Sequence, residues 1–387
     1  MFRPYIKRKR VLVALALANL ILVYVSYISY EFFPASNYGL KIKAARIMKE
    51  TLSKISSEIK TQTYYKERDI FKSNLIGVDS LSSNMTTKLG KLESKVAVTN
   101  PNFSALFIEL LSKIDSSLID VNNQDTIAVS YTGSFPGANI ALLSACKALN
   151  IHPVIISSLG SSEWGANKLE MTWIDIEKYL DFNHRSVAVS LGGDQDVAQE
   201  LLEETIDSLK KKIFLNEYSF INESNLQSSI DKRMDIYSSR SKNYKAYVTI
   251  GGAAASLGDS STLKLYLPGL ITSKDSTIVD AMDEDLIDEE FDSVIPVTEK
   301  FLEEHNIPVI NVRNINNLCD WYDLPYERGD YTKESMKIGS GQLYGEKKQY
   351  NTVIVWVNLM LSSIIIFWVV LSSVAQVNKK MKEINNE

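Results

Sequence analysis

Histidine and cysteine are scarce in this chain, with three and two copies in 387 residues. His152, His184 and His305 stand apart, and none belongs to a His-Glu-x-x-His or similar run, so the sequence offers no histidine-built metal centre and each reads as structural or surface. Cys146 and Cys319 are too few for a disulfide framework in a chain this long. Cys146 also falls in an apolar helical run, so both read as buried thiols. A basic excess is missing too: 42 Lys and Arg face 47 Asp and Glu, for a net charge of -5. That balance lacks the electrostatic footprint of a nucleic-acid-binding protein. Ser134 has glycines near it, but not at the offsets of a Gly-x-Ser-x-Gly elbow, which argues against an α/β-hydrolase serine. There is no internal repeat and no low-complexity tail.

Two long apolar runs are present. The first, 11–30, has Asn19 as its strongly polar interruption and follows Arg3 and Lys7-Arg8-Lys9-Arg10. The second, 353–377, contains Trp356, Phe367 and Trp368 and precedes Lys379, Lys380 and Lys382. At about 1.5 Å per residue, either run reaches across a hydrocarbon layer of about 30 Å. A cleaved signal peptide fits the first run poorly, because its apolar core is long and Phe33-Pro34-Ala35 is a weak small-x-small site. With basic clusters at the outer end of each run, the positive-inside tendency predicts both termini in the cytoplasm and the bulk of the chain outside it. The expected organisation is a basic cytoplasmic tail at 1–10, a transmembrane helix at 11–30, a helical arm and linker at 31–125, an extracytoplasmic α/β domain at 126–350, a transmembrane helix at 353–377 and a cytoplasmic tail at 378–387. Such a protein sits in the cytoplasmic, or inner, membrane.

In the arm, Leu40, Ala44, Ile47, Met48, Leu52, Ile55 and Ile59 recur at three- and four-residue steps, marking one amphipathic helix that packs on the domain or on a partner. A second helix is expected over 103–111, entered through Asn100-Pro101. From Thr126 onward, short continuous apolar strands alternate with helical stretches: Thr126-Ile127-Ala128-Val129, Pro153 to Ser157, Ser186 to Ser190, Ala246 to Ile250 and Pro308 to Val312. Strands without polar alternation, separated by helices, predict an α/β fold with a doubly wound, mainly parallel sheet.

In such sheets ligands gather beyond the carboxyl ends of the strands. Four strands here run into loops rich in Gly and Ser, starting near Ser130, Ser158, Leu191 and Gly251. The candidate ligand-binding residues are therefore Ser130, Thr132, Gly133, Ser134 and Asn139 from the first loop; Ser158, Ser161, Glu163 and Trp164 from the second; Gly192, Gly193 and Asp194 from the third; and Gly251 and Gly252 from the fourth. In the first loop, Ser134 and Pro136 suit a helix start, whose unpaired N–H groups can hold a carboxylate or phosphate. Glu163, Asp194 and Asp196 are the best-placed carboxylates for a cation, an amine or proton transfer, and Trp164 suits a ligand wall. The acidic stretch 280–292 reads as a solvated face, since its spacing lacks the glycine turn of a calcium loop.

Thr132-Gly133-Ser134-Phe135-Pro136, the run from Ser157 through Ser158-Leu159-Gly160 to Trp164-Gly165-Ala166-Asn167, and Ser190-Leu191-Gly192-Gly193, together with the two terminal apolar runs, resemble the bacterial poly-gamma-glutamate system protein family over nearly the whole chain. The resemblance implies a membrane-anchored component that accompanies the synthesis and export proteins of poly-γ-glutamate, a surface or released polymer of the capsule type. It carries over no catalytic residue, and it leaves any cofactor open. Two functions stay open: a non-catalytic accessory that binds a small ligand or polymer end at the strand-end crevice, or a hydrolase or transferase of γ-glutamyl amide bonds with Glu163 or Asp194 in acid–base roles.

Overall fold

The computed structural model describes residues 9–31, 34–59, 68–258, 266–273, 294–345 and 349–384. The acidic stretch 280–292 lies outside them. The chain forms two units, Ala35–Tyr344 and a smaller one made of its two ends.

In the larger unit, seven strands build one mixed sheet: β1 Thr126–Thr132, β2 His152–Ser158, β3 Ala188–Ser190, β4 Phe220–Ile221, β5 Tyr244–Ile250, β6 Gly269–Ile271 and β7 Val309–Val312. Their order is β4-β3-β2-β1-β5-β7-β6, and every pairing is parallel except that of β6 with β7 at one edge. The chain thus lays β2, β3 and β4 successively to one side of β1, then crosses to put β5 on the other. Strand order reverses at the β1–β5 junction, and such a junction opens a crevice beyond the strand ends because the flanking connections leave in opposite directions.

The strands are apolar on both faces, which is why they show no polar alternation. Ile127, Val129 and Tyr131 of β1 join one core with the helices Tyr38–Glu58, Phe103–Ile114 and Pro136–Leu149. Ala128, Val154 and Ile156 point the other way, into a core with Leu226 and Ile230 of the helix Leu226–Arg240, and with Val297 and Phe301. The mixed α/β architecture and the mainly parallel sheet agree with the reading of the strand runs.

The stripe on Tyr38–Glu58 is buried at Ala44, Met48, Leu52 and Ile55, so this helix is a layer of the α/β core itself. It is pinned by Lys41, whose Nζ donates to Glu109 Oε2 and to the Leu343 carbonyl, both at 2.7 Å. Cys146 and Cys319 are separate buried thiols.

The smaller unit contains the helices Lys9–Ile28 and Thr352–Ile384, both long and apolar enough to cross a membrane. Two polar links tie them: Asn358 Nδ2 donates to Ser26 Oγ at 2.9 Å and to the Leu22 carbonyl at 3.1 Å, and Ser362 bonds Asn19. In an apolar surround, side-chain amides and hydroxyls of this kind hold helices together, since they have no water to turn to.

Candidate functional site

A crevice of about 760 Å³ opens beyond the carboxyl ends of the parallel strands. Its floor comes from the strand ends and their loops, through Thr132, Ser134, Ser158, Gly160, Ser162, Gly193, Gly252 and Arg313. One wall is the segment Thr87 to Lys91 with Ser94 and Lys95, and the other is Tyr266 to Pro268 with Asn314 to Asn317 at the start of the helix Ile315–Tyr322.

Close backbone packing shapes the floor. Thr132 Oγ1 donates to the Ile250 carbonyl at 3.2 Å, joining β1 to β5 at the point where strand order reverses. Gly251 sits there with φ +95°, and a Cβ on it would fall 2.0 Å from Thr132 Oγ1, so a side chain is shut out both by conformation and by space. The third loop is more unusual. Gly192, Gly193, Gln195, Asp196 and Ala198 all have positive φ, a run of left-handed residues that persists only where the surroundings fix it. The fixing group is Asp196, whose carboxylate is buried against Arg233 Nη2 at 2.8 Å and accepts from Ser190 Oγ at 2.7 Å and from Ser229. Arg233 also donates to Ser190 Oγ at 2.7 Å and to Ser158 Oγ at 3.1 Å, so one buried guanidinium ties together the ends of β2 and β3.

Of the residues singled out from sequence, Thr132, Ser134, Ser158, Gly193 and Gly252 line the crevice. Ser130 lies beneath it, with its Oγ 2.7 Å from Ser256 Oγ. Asn139 is buried and donates to the Thr132 carbonyl at 3.1 Å. Gly133 and Gly192 lie where a Cβ would strike the Leu159 carbonyl oxygen at 2.8 Å and Ser158 Cβ at 2.9 Å, so both are packing positions. Ser161 is fully buried, and its Oγ donates to the Ser162 carbonyl at 3.0 Å. Glu163 accepts from the Ser80 N–H at 2.9 Å and the Gly90 N–H at 3.1 Å, and these bonds, Gly90 first, hold its carboxyl below the usual range. Its role is to clamp the wall segment. Trp164 packs on Ile76, Leu92 and Val96 outside the crevice. Asp194 is exposed, with Lys88 Nζ 3.6 Å away.

The helix start expected to hold an anion is closed. Pro136 does occupy the first turn of Pro136–Leu149, but Phe135 holds the cap position and Ser134 Oγ accepts instead from the Ser162 N–H at 3.0 Å. A Cβ at Gly137 would fall 2.6 Å from the Val98 carbonyl oxygen, so the segment after Lys95 covers that turn.

What the sequence left unmarked is the charge of the crevice. Lys88, Lys91, Lys95 and Arg313 line it, and among the described residues no Asp or Glu does. In a chain of net charge -5 this is a local reversal of sign, and low-dielectric walls focus such a field on an entering anion. Burial lowers the Arg313 pKa from its ordinary value. Lys95, on the short helix Leu92–Ala97, is 2 % exposed, and its Nζ donates to the Ser134 carbonyl at 2.6 Å and Ser162 Oγ at 2.7 Å. The same nitrogen lies 3.5 Å from the centre of the Phe135 ring. Burial drives its pKa well below the ordinary lysine range, and the charge of Glu163 opposes that only in part. The wall belongs to the stretch read from sequence as arm and linker. A cue to Lys95 was its place on the apolar face of Leu92, Val96 and Ala97, where a lysine is out of pattern.

Comparison with protein-family models, with curated proteins and with solved structures finds no match to this chain.

Proposed function

We propose that the chain is a membrane-anchored component of poly-γ-glutamate synthesis or export whose crevice binds an anionic ligand, a small carboxylate or the end of the polymer. The observation that carries this reading is the crevice lined by the cations Lys88, Lys91 and Arg313, with no carboxylate among the described lining residues, at the strand-order reversal. Carboxylates on successive γ-linked residues match spaced ammonium and guanidinium groups, Arg by paired hydrogen bonds and Lys as a point charge. In this reading the domain is a doubly wound α/β unit outside the cytoplasm, a membrane-crossing helix anchors each end, both termini are cytoplasmic, and the partners are the polymer's synthesis and export proteins.

A purely acid–base enzyme built on Glu163 or Asp194 has less support, because the first is occupied by two backbone N–H groups and the second is an exposed residue beside Lys88. The test is polymer output from cells carrying Lys91→Ala with Arg313→Ala. The reading expects output to fall at least about tenfold, the equivalent of about 1.4 kcal/mol of lost binding, while the protein still accumulates in the membrane. Undiminished output overturns it.

A further inference from the structure

We propose that Ser162 and Lys95 form a serine–lysine nucleophile pair, which makes the crevice an acyl-transfer site for an amide that carries carboxylates. The pair stands on geometry. Lys95 Nζ lies 2.7 Å from Ser162 Oγ, and both residues line the crevice. Lys95 is buried, and among the described residues its Nζ has no carboxylate within 4.0 Å, which sets it apart from the ion-paired buried cations Lys41 and Arg233. An ammonium buried without a counter-charge is penalised relative to the neutral amine, and burial lowers the Lys95 pKa well below its ordinary value. A neutral amine has one lone pair. One N–H donates to the Ser134 carbonyl, and the lone pair accepts from the Ser162 hydroxyl, which reverses the second bond and activates the oxygen.

The neighbours hold this arrangement in place. The Ser162 N–H is tied to Ser134 Oγ, so one loop fixes both members. At Gly90 a Cβ would fall 2.7 Å from the Glu163 carbonyl oxygen and 3.3 Å from Ser162 Oγ, so the wall segment packs closely on this loop. Serine with a lysine base recurs on unrelated folds, recognised by geometry and not by sequence offsets.

The chemistry balances without a co-reactant other than water. Ser162 Oγ adds to the carbonyl carbon as its proton passes to Lys95 Nζ. The C–N bond then breaks, the leaving amine takes that proton, and an ester on Ser162 remains. Water, giving a proton to Lys95, adds to the ester carbon; the Oγ–C bond breaks, the acid departs, and Ser162 recovers its proton from Lys95. An amine in place of water yields transfer instead of hydrolysis. The substrate class rests on the anionic reading of the crevice; the nucleophile pair does not.

The experiment treats the full chain in detergent with a fluorophosphonate and reads the modified peptide by mass spectrometry, with and without a γ-linked glutamate oligomer. Labelling is expected at Ser162. It should vanish in Ser162→Ala, slow at least about 100-fold in Lys95→Met, and not be restored by Lys95→Arg, which stays charged. In the unaltered chain the rate should rise with pH and level off once Lys95 is neutral, which tests the lysine even where a variant folds poorly. No labelling at Ser162, or a rate in folded Lys95→Met equal to the parent's, overturns the pair. Oligomer binding without labelling does so too while leaving the anion-binding reading intact. Labelling that the oligomer does not slow overturns the substrate class.

Discussion

Two buried cations in this molecule invite comparison, Arg233 and Lys95. Both are almost fully shielded from water, at 1 % and 2 % exposure, and both reach toward the carboxyl ends of the parallel strands. Arg233 meets Asp196 at 2.8 Å and two serine hydroxyls, so its charge is cancelled and its donors fix the left-handed loop 192–198. Lys95 meets a carbonyl, a hydroxyl and an aromatic ring. The first arrangement stabilises one geometry. In the second, burial without a carboxylate partner lowers the pKa, and a lysine that sheds its proton at the edge of a crevice can serve as a base.

The largest effect should come from breaking the compensated site. Arg233→Leu leaves the Asp196 carboxylate buried without its partner, and such a loss costs about 3–5 kcal/mol. Urea unfolding of the detergent-solubilised chain measures it. A loss below about 1 kcal/mol would mean that the pair contributes little and the loop is fixed by other means.

Lys95→Met is expected to act in the opposite sense, relieving a desolvation penalty at neutral pH and losing that advantage as pH rises. The folded pKa of Lys95 lies below its unfolded value, so between the two the unfolded chain holds one more proton than the folded chain. Stability of the parent relative to Lys95→Met therefore rises with pH across that window and is constant on either side. Parallel stability curves for the two proteins from neutral to alkaline pH would show that Lys95 stays an ammonium, and would remove the contrast with Arg233.

The smallest effect should be at Asp194. It is half exposed and 3.6 Å from an equally exposed Lys88, so Asp194→Asn should change stability by less than about 0.5 kcal/mol and leave anion binding intact. Loss of anion binding in that variant, measured by titration, would place a functional carboxylate at the lip.

Much of the sheet was legible because its signal is local. Thr126–Thr132, His152–Ser158 and Tyr244–Ile250 are mostly apolar runs that lead into Gly or Ser, and each forms a strand close to where its composition places it. Phe220–Ile221 and Gly269–Ile271 are too short to stand out, and the helix Leu226–Arg240 is mostly polar, with Leu226, Ile230 and Tyr237 buried. Half of the site was legible for the same reason: glycines and serines mark where strands end. The wall was not. Lys91 and Lys95 precede β1 by more than a strand's length, and they join the crevice through the parallel pairing of Thr86–Lys88 with Ser161–Ser162, which no local periodicity announces. Charge partners are likewise tertiary facts. Asp194 and Asp196 lie two residues apart, yet one faces solvent and the other meets a guanidinium from a helix more than thirty residues on.

The central claim is that the basic crevice receives carboxylates. Its most direct measurement is isothermal titration of the full chain in detergent with a γ-linked glutamate oligomer and with the same oligomer as its methyl ester, in low and high salt. The account predicts binding of the acid form that weakens as salt rises, no measurable binding of the ester, and at least a tenfold loss in Lys91→Ala/Arg313→Ala. Equal binding of acid and ester, or binding of the acid untouched by loss of both basic side chains, would contradict it.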